Sequence, residues 1–267
     1  MARQTVPSSY DYGVGTVMRV ADTVSKNHRR FLERAISEGT VWYLATPEGG
    51  VTTLVSDEDD TVSVYPFWSD ASYARRAAKA SLPGTEPTPV AFADFLRAWL
   101  PGMSDDGHRV GPNWTGDLVG WEVQPNTLGV ELLDTMTVEQ RCDLAAHDLT
   151  TMSHWSALQV LSHAGMNEQV WLLQGEEGAV FQPSQVGEDA LVLLTFARES
   201  DAQAWIDQPE WGDHVPRPLS LDPWLAFLAD LEEAGHRVGL GWISGFGGQE
   251  EAAGAVIHRV QSLFEST

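Results

Sequence analysis

The block Gly-His-Arg-Val-Gly is the clearest chemical motif of this chain, and it occurs twice. It stands at residues 107–111 and again, unchanged, at residues 235–239. An imidazole beside a guanidinium could act as a base or bind an anion. The candidate pocket residues are therefore His108, Arg109, His236 and Arg237. No Asp, Ser or Cys is evident at matching positions beside both blocks, so the pattern favours a structural use, in which the glycine makes a turn and the valine enters the core.

The two blocks belong to a longer internal repeat. Residues 41–44 (Val-Trp-Tyr-Leu) are echoed by residues 170–173 (Val-Trp-Leu-Leu), 129 positions later. After a one-residue deletion, Trp114 is matched by Trp242. A register held over this distance indicates two copies of one folding unit. A property of the shared unit should therefore be visible in both copies.

Each copy is predicted to be a module of helices and short strands. In the first copy, a helix from Lys26 ends at Gly39, and a meander of three strands follows. Two further helices around a Pro-rich connector, Pro83 to Pro89, come next, and then strands at the Gly-His-Arg block and near Leu118–Val123. The predicted fold class is α+β, as two tandem modules that each have an antiparallel sheet covered by helices, related by a pseudo-two-fold axis. The predicted domains are 1–135 and 136–267, the second opening with a connecting helix at Val138–Thr150.

Eleven tryptophans fall into two groups. Those matched between the copies, Trp42 with Trp171 and Trp114 with Trp242, are predicted to lie in the core. Tryptophans found in one copy are predicted to be exposed anchors for a partner, because partner contacts diversify while cores do not. Examples of these single-copy residues are Trp68, Trp121, Trp155, Trp205 and Trp211.

The formal net charge of −22 is unevenly placed. Residues 1–135 carry 11 Lys and Arg against 18 Asp and Glu, whereas residues 136–267 carry 5 against 20. This charge disfavours nucleic acid and anionic membranes and predicts a basic protein partner. The acidic pair Glu232 and Glu233 is a candidate part of that surface. The other interpretation is that the acidity only keeps the protein in solution.

Other chemistry finds little support in the sequence. No apolar run reaches the length of a membrane-spanning helix and the N-terminus lacks the apolar core of a signal peptide, which predicts a cytoplasmic protein. Cys142 is the only cysteine, and the nearby histidines do not share a helix turn with it, so neither a metal nor another cofactor is expected. Ser244 lacks the glycine two residues earlier that a nucleophile elbow requires, so no catalytic residue is assigned.

Four segments of the first copy together resemble a known family. They are the Trp-containing residues 41–44, the Tyr-Pro-Phe-Trp segment 65–68, the Phe-Leu-Arg-Ala-Trp-Leu-Pro segment 95–101 and the Gly-His-Arg-Val block. The chain is similar there to the bacterial family labelled domain of unknown function 2750, over roughly residues 28–132. The second copy replaces residues 65–68 by Leu-Thr-Phe-Ala, so its similarity depends on the repeat. The resemblance implies no catalytic residue, and small acidic α+β proteins of this type are often immunity or accessory proteins.

Two functions follow as hypotheses. The first is a non-catalytic, acidic protein-binding protein, immunity or antitoxin-like in kind, that engages a basic partner surface. The second is a small-molecule or enzymatic function in a cleft between the modules, built from the four His and Arg residues of the repeated block. The chain is expected to be a monomer with an internal pseudo-dimer, or a homodimer.

Overall fold

The computed structural model describes residues 14–187 and 189–265. The chain divides into two compact units, the first ending at Pro125 and the second beginning at Asn126. The predicted boundary at 135/136 lies at the other end of the helix Pro125–Thr135. The predicted connecting helix ends earlier than expected, at His147, and the next helix, predicted around Ser153–Ala164, extends over Leu149–Asn167.

The helices alternate with the strands along both units. They are α1 (Val14–Glu38), α2 (Ala71–Ala80), α3 (Phe92–Asp94), a π-helical turn (Phe95–Trp99), α4 (Leu100–Asp105), α5 (Pro125–Thr135), α6 (Val138–His147), α7 (Leu149–Asn167), α8 (Glu199–Ile206), a 3-10 turn (Pro209–Trp211), α9 (Leu221–Glu233) and α10 (Ala253–Glu265). The helix predicted from Lys26 therefore begins twelve residues earlier, at Val14.

The strands of the first unit are β1 (Thr40–Ala45), β2 (Leu54–Val55), β3 (Ser63–Phe67), β4 (Glu86–Ala91) and β5 (Arg109–Pro112). Those of the second unit are β6 (Gln169–Gly175), β7 (Gly178–Ala179), β8 (Phe181–Pro183), β9 (Leu191–Phe196), β10 (Val215–Ser220), β11 (Arg237–Ile243) and β12 (Gly247–Ala252).

Equivalent strands have the same neighbours in both units. In the second unit the sheet order is β10-β6-β9-β11-β12. In the first unit β4 pairs with β1 and β3 with β5, while β1 and β3 are joined at one bridge, where Trp42 N donates to Trp68 O at 2.7 Å and Trp68 N to Trp42 O at 2.8 Å. The predicted α+β class with two tandem modules is confirmed. One pairing in each unit, β3–β5 and β9–β11, is parallel, so the predicted antiparallel sheet is in fact mixed.

The Pro-rich connector predicted between Pro83 and Pro89 contains an edge strand. In β4, Pro89 lies opposite Trp42, and in β10 the equivalent Pro218 lies opposite Trp171. Proline has no N–H to donate and is tolerated in a strand at a sheet edge. The spacing Pro-x-Pro, repeated after 129 residues, was the signal for this pair of edge strands.

Helices cover both faces of the second unit's sheet. On β6, Leu172 joins a core made with α7, α9 and α10, whereas its neighbour Leu173 joins a core made with α8. Successive strand residues point to opposite faces, which explains this division. The first unit repeats it: Leu44 packs with α2, while Phe67 on β3 contacts Phe95, whose ring in turn lies 6.3 Å from that of Phe31 on α1.

The predicted strand over residues 118–123 is not formed. Leu118 has a φ of 60°, which an extended strand does not allow, and only Val123 makes a bridge, to Val110. The equivalent segment of the second unit is the strand β12, which pairs with β11. The first unit's sheet therefore ends at β5 except for that bridge.

Candidate functional site

In the first unit, His108 and Arg109 are both engaged by neighbouring side chains. The His108 ring lies 5.1 Å from the ring of Tyr65, on the paired strand β3. The Arg109 guanidinium donates to the carboxylate of Glu58, in the turn between β2 and β3. The two side chains therefore fix the start of β5 to β3 and to the turn before it.

In the second unit, the same two positions are also occupied with internal contacts. His236 accepts a hydrogen bond at Nδ1 from Leu191 N at 3.4 Å. Arg237 donates to the carbonyl of Glu250 at 3.0 Å, and its Nε lies 3.4 Å from the Glu250 carboxylate. Each arginine of the repeated block is thus neutralised within its own unit, although by a different carboxylate. A reaction centre formed by the four residues stays a prediction.

A serine and a glutamate that sequence reasoning missed complete this cluster in both units. Ser56 donates to Glu122, and Asp57 N donates to the same carboxylate at 2.8 Å. Ser184 donates to Glu250 at 2.6 Å, and the next backbone N–H donates to it at 2.9 Å. Both pairs are related by 128 residues, as the repeated block is, and that spacing could have revealed them. The statement that no serine matches in the two copies was wrong.

The geometry of the serine makes it a structural clamp. Ser56 Oγ accepts from two backbone N–H groups of its turn, at 3.1 and 3.3 Å, and Ser184 Oγ accepts from two at 3.2 and 3.0 Å. Each hydroxyl therefore donates once, to a glutamate, and accepts twice. A hydroxyl used in this way ties the turn to the sheet, and neither serine is hydrogen-bonded to a histidine among the described residues.

The matched tryptophans Trp114 and Trp242 are buried, 7% and 5% exposed. Each indole N–H donates to the backbone carbonyl seven residues later, at 2.8 and 3.0 Å. A glycine on either side makes room for each ring, since a Cβ on Gly120 would lie 2.0 Å from Trp114 and one on Gly248 would lie 2.6 Å from Trp242. These residues form a duplicated tryptophan cradle that belongs to the core.

Four of the five tryptophans predicted to be exposed partner anchors are buried, and the prediction is corrected for them. Trp68, Trp205 and Trp211 are 0%, 8% and 9% exposed, whereas Trp121 is 46% exposed. The indole N–H of Trp68 donates to Trp114 O at 2.9 Å, and that of Trp205 donates to Trp242 O at 3.0 Å. Two residues at non-equivalent positions thus make the same contact, which is why each looked specific to one copy. Trp155, also of this group, is fully buried.

The proposed acidic residues lie at the end of α9. Both Glu232 and Glu233 are exposed, and Glu232 accepts a hydrogen bond from Gly254 N at 2.7 Å, at the start of α10. Asp222, Asp230 and Glu233 are exposed and recur at helical spacing, so they form a stripe on one face of α9. We call these three residues the α9 stripe.

The five arginines of residues 136–267 are all bonded to side chains of the second unit. Four of them form ion pairs with only three carboxylates, and the fifth bonds to an amide. The pairs are Arg141 and Arg198 with Asp201, Arg237 with Glu250, Arg259 with Glu251, and Arg217 with Gln174. The carboxylates of the α9 stripe therefore have no cationic partner among the described residues of this unit.

Asp134 and His163 of the second unit form a pair of titratable side chains, in which His163 Nε2 lies 3.0 Å from Asp134 Oδ1. Burial raises the pKa of Asp134, but hydrogen bonds from His163 and Gln159 outweigh it, and the pKa is lowered overall. The hydrogen bond to Asp134 raises the pKa of His163, against the opposing effect of burial. The protonated imidazole is thus favoured in the folded unit.

This pair predicts a pH dependence of stability. Because the His163 pKa is higher in the folded than in the unfolded state, its contribution is complete below the unperturbed value of 6.5 and is lost as the pH rises through the folded value. We expect the free energy of unfolding of the wild type to fall more steeply as the pH rises above 6.5 than that of His163→Gln. Urea unfolding measures both. His258→Gln, an exposed histidine of the same unit, is the control and should follow the wild type.

Within residues 14–187 and 189–265, no three histidine, cysteine or carboxylate side chains gather closely enough to hold a metal ion. In the same residues, no helix combines the length and apolar character that crossing a bilayer requires.

The folded units and their repeated clamp define a class of protein, a tandem repeat of one α+β module. The particular family follows from comparison: the model of the family described as "Protein of unknown function (DUF2750)" matches residues 28–132 and 158–259, so the chain belongs to it. A comparison with curated proteins finds no match. Among solved structures, the chain is similar to Anabaena Tic22 (protein transport), at 13% identity over 75% of this chain and 86% of that chain. The TM-score of 0.23 is too low for this likeness to carry an argument.

Proposed function

We propose that this is a non-catalytic binding protein whose second unit presents an acidic surface to a basic protein partner. The observation that carries the proposal is the internal use of all five arginines of residues 136–267, which leaves the α9 stripe without a counter-charge in its unit. An uncompensated field of one sign attracts a partner of the other sign and raises the association rate.

The placement of the acidic residues in α9 adds support. Asp230 and Glu233 lie in the last turn of the helix, where no basic residue accompanies them. A negative charge near the C-terminal end of a helix opposes the helix dipole and costs about 0.3–1 kcal/mol. These two side chains lower the stability of their own helix. A role in binding therefore accounts for them better than a role in folding does.

The repeated His-Arg block supports binding more than catalysis. Both serine hydroxyls of the clamp are saturated by internal hydrogen bonds and both arginines pair with a carboxylate, so neither serine is poised as a nucleophile. In an immunity or antitoxin-like role, the basic partner would be a toxin, and this protein would cover its active surface. A partner identified by the experiment below should then lose its activity when an equal amount of this protein is added.

A salt-dependent capture experiment tests the proposal. The immobilised full-length protein is exposed to native lysate at about 0.02 M salt and eluted to about 0.5 M, across which the screening length falls several-fold. We expect basic proteins to be retained and then released by salt. Neutralising the α9 stripe by Asp222→Asn, Asp230→Asn and Glu233→Gln should slow the association of the retained partner.

A matched control separates a specific surface from total charge. Three exposed carboxylates of the first unit, Glu48, Asp105 and Asp106, are neutralised in the same way. This variant has the same net charge as the α9 variant and should bind as the wild type does. Equal weakening by both variants, or retention of no basic protein, would count against the proposed surface.

A further inference from the structure

The first unit contains an open cavity of about 200 Å³ that is lined by two arginines. Its walls are α1, α2 and the loop that follows β5. The lining residues are Thr23, Asn27, Arg30, Tyr73, Arg76, Asn113, Trp114, Thr115 and Gly116. None of the described residues that line it is a carboxylate, although the chain as a whole carries a net charge of −22.

The same place in the second unit is almost full. A cavity of only about 20 Å³ is lined there by the positions equivalent to six of those residues, displaced by 129 positions in the helices and 128 after β5. The equivalent pairs are Asn27 with Ser156, Arg30 with Gln159, Asn113 with Gly241, Trp114 with Trp242, Thr115 with Ile243 and Gly116 with Ser244. The repeat thus places one groove in each unit.

The second unit's groove is filled by its own helix α6. Val138 and Arg141 of α6 line the remaining cavity together with the groove residues. Arg141 is 5% exposed and donates to Asp201, on the wall formed by α8. The second groove is therefore occupied by a polypeptide segment, α6, whose Arg141 cation is neutralised by the Asp201 carboxylate on the groove wall. Within residues 14–125, no helix stands in the place that α6 takes.

A glycine-to-asparagine difference keeps the first groove wider. Gly241 has a φ of 61°, and a Cβ there would lie 2.6 Å from the Ser156 carbonyl, so α7 lies directly against this turn. At the equivalent position, Asn113 has a φ of 48°, and its amide donates to the Asn27 carbonyl at 3.1 Å. In the first unit, the Asn113 side chain bridges the turn and α1, whereas in the second unit the backbone at Gly241 contacts α7 directly.

The charges of the first groove are the reverse of those in the second. Asp201 is replaced by Ser72 in the repeat register, and the walls instead carry Arg30 and Arg76. Neither arginine forms an ion pair with a described residue of its unit, unlike Arg34, which pairs with Asp70 at 2.8 Å. Two like charges on the wall of one cavity repel each other, and an anion between them removes that cost.

Arg76 is held in position for such a ligand. Its guanidinium lies 5.8 Å from the centre of the Tyr73 ring. Its aliphatic stem passes over Gly116, where an added Cβ would lie 3.2 Å from Arg76 Cγ. A stacked and supported guanidinium loses little freedom when it binds, and its planar fork matches the two oxygens of a carboxylate or phosphate.

We propose that this first-unit groove is an oxyanion-binding site, in which Arg30 and Arg76 hold a phosphate or carboxylate group as its counter-charge. A cavity of about 200 Å³ accommodates one such group with a short attachment. The group can come from a free small molecule or from an acidic side chain of a polypeptide, as the guest of the second groove is a side chain.

Calorimetric titration of the full-length protein at low salt tests the site with three probes. Inorganic phosphate and succinate represent the free anion. A synthetic peptide of residues 137–148, which contains α6, with the change Arg141→Glu represents the polypeptide source. The unchanged peptide is the matched control and should not bind this groove, because its arginine would face Arg30 and Arg76. Binding of the free anions indicates a small-molecule ligand, and binding of the altered peptide alone indicates a polypeptide.

Variants then locate the binding. Arg30→Gln and Arg76→Gln should each weaken binding about tenfold or more, the size expected from losing a charge-assisted hydrogen bond. Arg75→Gln, an exposed neighbour on α2 that does not line the cavity, should leave the affinity unchanged. All three side chains are exposed, so unfolding is not expected, and thermal unfolding checks this. No heat from any probe, or affinities that ignore Arg30 and Arg76, would overturn the proposal.

Discussion

Replacing Asp201 with alanine is expected to destabilise the second unit by about 3–5 kcal/mol, the cost of removing one partner from a buried ion pair. The carboxylate side chain is 13% exposed and accepts from Arg141, whose own side chain is 6% exposed, and from Arg198. Its loss leaves two guanidiniums without a counter-charge in a poorly solvated place. Native-state hydrogen exchange should show faster exchange in peptides from α6 and α8.

Two further variants show whether the buried charge is the cause. Arg141→Met should cost less, because Asp201 keeps Arg198 as its partner. Asp94→Ala removes an exposed ion pair with Arg97 in the first unit and should change stability by at most about 1 kcal/mol. If α6 kept its protection in Asp201→Ala, the ion pair would not be what holds this helix in the groove.

The second large effect is expected at the tryptophan cradle. Trp242→Ala should destabilise the second unit by about 3–5 kcal/mol, as truncation of a large buried aromatic side chain does. Gly248→Ala should cost about 1–3 kcal/mol, because the new methyl group overlaps the ring that the glycine makes room for. The equivalent changes Trp114→Ala and Gly120→Ala should act in the same way on the first unit.

Peptide-resolved hydrogen exchange separates the two units, so each substitution can be assigned to its own half of the chain. Gly102→Ala is the control: this glycine lies within α4 and a Cβ there meets no atom within 4 Å. Alanine is the better helix former by about 0.5–1 kcal/mol, so this change should be neutral or stabilising. A cradle substitution as harmless as Gly102→Ala would show that the ring has room to move.

Features that depend on the local sequence were predictable, whereas features that depend on contacts between distant segments were not. The matched tryptophans and the α+β module were predictable, because repeat and period are local properties of the chain. The edge strands β4 and β10 are not among the predicted strands, and in the first unit the prolines indicate a connector instead. Only their position at the edge of a sheet makes proline acceptable in them.

The candidate site shows the same division more sharply. Trp68 and Trp205 stand at unmatched positions, yet each donates to the carbonyl of the matched tryptophan in its unit. Sequence alignment cannot show that one core contact is supplied from two different elements. The clamp made by Ser56 and Glu122 joins residues 66 positions apart, and only the folded sheet brings them together.

By itself, the sequence determined that the chain is a doubled α+β module with a strongly acidic second half, because repetition and charge are carried by residue types and order. The tertiary structure decided which charged side chains form ion pairs within the protein and which are exposed without a partner among the described residues. It also decided that one groove is filled by α6, whereas among residues 14–125 no helix fills its counterpart. Such outcomes depend on distances between elements far apart in the chain, and those distances are set by packing rather than by local pattern.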